Sequence, residues 1–117
     1  MKPVDLVECT FTPTEIPPGE TRTLNVFFPS AGRIERFVFA SADDANMVVN
    51  AIKLGGRPVN IGSSPPLRWF SPSGSRGASL VGGFVSAGEE VVVQVLNKGR
   101  AAGTVSGTVF YQSKVSP

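Results

Sequence analysis

Asp43, Asp44 and Asn46 bring three oxygen-bearing side chains together, which could begin a calcium site. A calcium loop of the EF-hand kind runs for about twelve residues and ends in a bidentate Glu. No Glu follows at that spacing, so the run suits a polar turn that caps a short helix. Glu89 and Glu90 are adjacent, and on a strand they would point to opposite faces. They cannot work together as acid and base from those positions and suit a solvated turn. Cys9 is the sole cysteine and the chain has no His. Those two counts exclude Ser-His-Asp and Cys-His catalysis, an imidazole zinc site, an intrachain disulfide and a thiolate cluster. A cupin-like metal enzyme is disfavoured for the same reason, and Cys9 reads as a small buried side chain. The sequence therefore offers no catalytic, cofactor-binding or metal-ligating residue.

What remains is recognition. Arg33, Glu35 and Arg36 put two cations and an anion on one short run, suited to bridging a neighbouring chain or covering a sheet edge with charge. Trp69 and Phe70 sit in the run SSPPLRWFSPSGSRGAS, between Arg68 and Arg76. Aromatic side chains on such a loop can anchor a protein interface, stack on a sugar ring, or fold back to plug an open end of the core. Sugar sites usually add Asp, Asn or Gln, and this loop offers Ser and Arg. The candidate interface residues are Arg33, Arg36, Arg68, Trp69, Phe70 and Arg76.

The elements that must position these residues follow from periodicity. Leu24, Val26 and Phe28 alternate after a Pro-Pro-Gly-Glu turn, as in a half-buried strand. In the run from Arg33 to Ala40, Ile34, Val38 and Ala40 share one face and Glu35, Phe37 and Phe39 the other. Met47–Leu54 and Arg57–Ile61 flank Gly55-Gly56, a β-hairpin whose turn needs positive φ, with Ile52 and Leu54 able to face Val59 and Ile61. Pro58 places the second of these strands at an edge or at a strand start. Residues 63–79 form a long irregular loop, the kind that is usually functional or disordered. Leu80–Val85 is a short apolar strand. Val91, Val93 and Val95 alternate in the most β-prone segment, and Val105, Val109 and Tyr111 alternate in the closing one, with Thr108 and Phe110 opposite. No helix-length window has apolar residues at helical spacing. Counting Val4–Phe11, about eight strands recur at roughly 8–15 residue intervals, as in an antiparallel β-sandwich of jelly-roll type. Two Gly-Glu turns, Pro18-Gly19-Glu20 and Ala87-Gly88-Glu89, each lead into an alternating strand, an echo that reads as turn architecture and not duplication.

With 117 residues the chain is one domain, and 41% hydrophobic residues against 17% charged exclude a disordered tail. The 11 Lys and Arg outnumber the 9 Asp and Glu by two but are dispersed, without the clustering of a dedicated nucleic-acid surface. No signal peptide is expected from the N-terminal residues, and no apolar run approaches the roughly 20 residues of a membrane span. Synthesis in the cytosol is the expectation, which suits a free thiol.

The layout resembles the small jelly-roll proteins that decorate or cement the capsids of tailed bacteriophages. The residues that carry the resemblance are the Gly-Glu turns, the LGGRPVNI hairpin, the strand VVVQVLNKG and the closing GTVSGTVFYQ, within residues 15–112. The resemblance implies a non-enzymatic virion protein, assembled in the host cytoplasm, that stabilises a shell as a homotrimer docked on the major capsid protein or another virion protein. It implies no cofactor, membrane or specific nucleic acid. A carbohydrate- or receptor-binding sandwich of a phage fibre or spike is the alternative. Apolar residues on both faces of two strands, Phe37 and Phe39 against Val38 in one and Phe110 against Val109 and Tyr111 in the other, point to an oligomer, because a two-layer sandwich has one interior.

Overall fold

The computed structural model describes residues 6–42, 44–59, 61, 64–71 and 83–113. The chain forms an all-β sandwich of two four-stranded sheets. One contains, in order, β1 (Leu6–Ile16), β8 (Gly103–Ser113), β3 (Gly32–Ala40) and β6 (Phe84–Val85). The other contains β2 (Thr21–Phe27), β7 (Glu90–Asn97), β4 (Met47–Leu54) and β5 (Arg57–Pro58). Every pairing is antiparallel. The pairs are nested: β1 with β8, β2 with β7, β3 with β6 and β4 with β5. The β3–β8 and β4–β7 ladders join them into sheets.

The innermost turn is Gly55-Gly56, with φ of 55° and 81°, a conformation glycine adopts without strain. It closes the expected hairpin, and β5 lies at a sheet edge as Pro58 requires. Alternation fills the interior from β2, β7 and β8: Leu24, Phe28, Val91, Val93, Val95, Val105, Val109 and Tyr111 are all buried.

Three strands break that alternation. The register slips between Phe11 and Thr14 in β1, between Ile34 and Arg36 in β3, and between Val49 and Ala51 in β4. Each extra residue shifts the side-chain phase by one, so odd and even positions of one strand face the same way on either side of the bulge. Hence Ile34, Phe37 and Phe39 are all buried, while Val38 is half-buried and Ala40 exposed. This corrects the expectation that Ile34 shares a face with Val38 and Ala40 opposite Phe37 and Phe39. The two phenylalanines belong to the core and supply no second apolar face. Phe39 packs on Phe11 at 5.8 Å and on Phe37 at 6.2 Å between ring centroids. Gly107 across the ladder leaves the space: a Cβ there would overlap the Phe39 ring.

β5 and β6 are two residues long, so β4 and β3 extend past them. The described part of the long loop runs across that opening. The Pro65 carbonyl accepts from Val49 N–H at 2.9 Å, and Pro66 bridges to Val48. A 3₁₀ turn follows at Leu67–Phe70. A second 3₁₀ turn, Asp44–Asn46, stands where the polar run suggested a short helix. Asp43 lies outside the described residues, as do residues 80–82 of the expected Leu80–Val85 strand; β6 is Phe84–Val85.

Candidate functional site

In a 3₁₀ helix, residues three apart lie one above the other. Leu67 and Phe70 therefore share the inward face of their turn and are fully buried, while Arg68 and Trp69 point out. Phe70 meets Phe39 edge to face at 5.6 Å, closing the sandwich between β3 and β4. It is a plug, one of the three roles open to it from sequence, and it is too deeply buried to be one of the candidate interface contacts. Trp69 keeps 43% of its surface exposed. Arg76 lies outside the described residues.

Arg33 is exposed and pairs across β3 with Phe84 on one side and Gln112 on the other. Arg36 is half-buried beside Phe110, which pairs in turn with Glu8. Its Nε is buried with no hydrogen-bond partner. Arg33 and Arg36 thus lie on the outer face of the first sheet. Arg68 and Trp69 lie at the opposite end of the sandwich, where β3 ends and β4 begins. The structure does not bring the six expected residues into one site.

Two residues that were not singled out are the most exposed large apolar side chains described: Phe84 at 69% and Phe27 at 60%. Phe84 stands on β6, the last strand of its sheet, next to Arg33. The Arg57 guanidinium donates to the Phe84 carbonyl at 3.3 Å and lies 3.6 Å from Glu89. Phe27 ends β2, the first strand of the other sheet, opposite Glu90. The Glu90 carboxylate accepts from Asn25 Nδ2 at 2.7 Å. The signal for Phe27 was present: in Leu24-Asn25-Val26-Phe27-Phe28, inward Leu24 and Phe28 leave Phe27 outside. Inward Val85 likewise leaves Phe84 outside.

Other polar groups are engaged in structure. Asn97 is the one fully buried polar residue described, and it uses both ends of its amide. Nδ2 donates to the Ile16 carbonyl at 2.9 Å and the Ala101 carbonyl at 2.8 Å, and Oδ1 accepts from Gly99 N–H at 2.8 Å. Cys9 is buried, as expected. Burial pushes its thiol up, against a smaller lowering from a hydrogen bond with Tyr111, so it is not an activated thiolate. Among the described residues no three His, Cys, Asp or Glu side chains are placed to share a metal ion, and no helix is long and apolar enough to cross a membrane. What the surface offers is large aromatic side chains set among charges.

Comparison with known proteins finds no matching family model, curated protein or solved structure.

Proposed function

We propose that this chain is a non-enzymatic structural protein that assembles with copies of itself, a trimer being favoured, and docks on a larger shell. This is the role of a capsid decoration protein in a virion assembled in the host cytoplasm. The nested pairing 1·8, 2·7, 3·6, 4·5 supports reading the sandwich as a jelly roll, the winding of two Greek keys common in capsid domains. The observation that carries the proposal is the exposure of Phe27, Trp69 and Phe84 on a sandwich whose interior is already filled. Exposed aromatic side chains of this size are the usual anchors of protein interfaces. With Phe37, Phe39 and Phe70 in the core, these three residues replace them as the apolar contacts. Trp69 stands at the other end of the sandwich from Phe27 and Phe84, so self-association at one end leaves it available for the shell.

Light scattering over a concentration series tests this reading. The expected result is an oligomer, at three times the 12.3 kDa chain for a trimer. A monomer at every concentration that also binds specific sugars on a glycan array would overturn it in favour of a carbohydrate-binding module.

A further inference from the structure

We propose that copies of this chain join head to tail: Phe84 and Arg33 of one copy seat against Phe27 and Glu90 of the next, closing a ring. This rests on the assembly reading above and names its contact. The two phenylalanines lie at opposite edges of the sandwich, on β6 at the end of one sheet and β2 at the start of the other. Their surroundings differ in charge. Phe84 is flanked by Arg33 and by Arg57. Arg57 is shared with Glu89, whereas Arg33 makes no ion pair among the described residues. Phe27 is flanked by the Glu90 carboxylate. Two Phe84 patches placed face to face would oppose arginine to arginine, and two Phe27 patches would oppose glutamate to glutamate. Only the mixed pairing matches charge as well as apolar surface. The occupant of each patch is thus the other patch of a second copy.

The two patches lie at the same end of the sandwich. Phe84 enters the turn at Ser86–Glu89, and the backbone after Phe27 is bonded to that turn: Phe28 N–H donates to the Glu89 carbonyl at 2.9 Å, and Gly88 N–H donates to the Phe28 carbonyl at 2.8 Å. Both patches therefore lie at one level along the strands. A heterologous contact closes into a ring where the rotation between copies closes and runs on as a filament where it does not; the trimer proposed above requires the closed form.

Sedimentation velocity on the full chain tests the pairing with Arg33→Glu, Glu90→Arg and the double variant carrying both. Each single variant is expected to weaken association about tenfold or more, and the double variant to regain it, because the opposed charges are exchanged. Phe27→Ser and Phe84→Ser, at exposed positions, test the same contact without altering charge, and thermal melting confirms that each variant folds. Added salt should loosen the wild-type assembly. An oligomeric wild type that none of the four single substitutions disturbs would overturn the ring but leave the assembly reading standing. Single charge variants that dissociate without rescue in the double variant would overturn the Arg33–Glu90 pairing. A wild type that is monomeric at every concentration would overturn both.

Discussion

The two Gly-Glu turns occupy equivalent places and are held by different means. Gly19 and Gly88 both take positive φ, 77° and 85°. Each turn leads into one strand of the β2–β7 ladder and clasps the far end of the other. Gly19 N–H donates to the Asn97 carbonyl and Asn97 N–H to the Glu20 carbonyl. Likewise Gly88 N–H donates to the Phe28 carbonyl and Phe28 N–H to the Glu89 carbonyl. The backbone pattern is repeated about a local two-fold, but the side chain at the clasp is not. At one end it is Asn97, whose amide ties together the chain at Ile16, Gly99 and Ala101. At the other it is Phe28, buried edge to face on Tyr111 at 5.2 Å. The acidic residues diverge as well. Glu20 pairs at the surface with Arg22, while Glu89 folds back to accept Ser86 N–H at 2.6 Å and lies against Gly55. Equivalent backbone demands were met once by hydrogen bonds and once by ring packing. The end held by packing is the end that carries Phe27 and Phe84.

Substitutions can break or sharpen that contrast. Phe28→Ala empties a filled site and should cost about 3–5 kcal/mol by denaturant titration. Asn97→Ala leaves two carbonyls and an N–H without their side-chain partner, and about 2–4 kcal/mol is expected. Asn97→Asp should cost at least as much, since its second carboxylate oxygen would face the Ile16 and Ala101 carbonyls at a buried site; an Asp variant more stable than the Ala variant would mean that the two donated hydrogen bonds do not hold that end. Gly19→Ala and Gly88→Ala should each cost about 1 kcal/mol, because a side chain meets no atom at either place and the backbone conformation is the whole penalty. Costs that differ widely between the two would break the local two-fold. The smallest effects separate the acids. Glu89→Ala should cost about 1 kcal/mol through the lost Ser86 contact, and Glu20→Ala close to none, its ion pair being exposed to water. A larger loss at Glu20 than at Glu89 would reverse this part of the comparison.

The fold class was legible because alternation is strong where strands run without interruption. Val91, Val93 and Val95 could be placed inside from spacing alone, and so could Leu24, Phe28, Val109 and Tyr111. Bulges were not legible. In Ile34-Glu35-Arg36-Phe37 the inserted residue leaves as its trace a pair of polar residues between two apolar ones. Read at strict period two, that pair turns one buried face into two half-apolar faces and suggests an interface at Phe37 and Phe39 that the bulge removes. Trp69 and Phe70 could not be separated for a related reason: their fates depend on a short 3₁₀ turn whose period of three sets Phe70 above Leu67 and turns Trp69 away. Nothing in Asn97-Lys98-Gly99-Arg100 marks Asn97 as buried, because its partners at Ile16 and Ala101 come together through the β1–β2 and β7–β8 connections. The exposed Phe27 and Phe84 were readable from alternation, but an outward phenylalanine shows itself as a candidate anchor once the interior is known to be filled without it.

The head-to-tail contact can be trapped covalently. In a chain whose Cys9 is replaced by Ala, Phe27→Cys and Phe84→Cys are introduced singly and together, and each protein is oxidised and run on a non-reducing gel. With Phe27 of one copy against Phe84 of the next, the double variant should give a closed covalent trimer and each single variant should stay monomeric. Dimers formed by either single variant, or a double variant that stays monomeric while the unmodified chain is oligomeric, would contradict the contact.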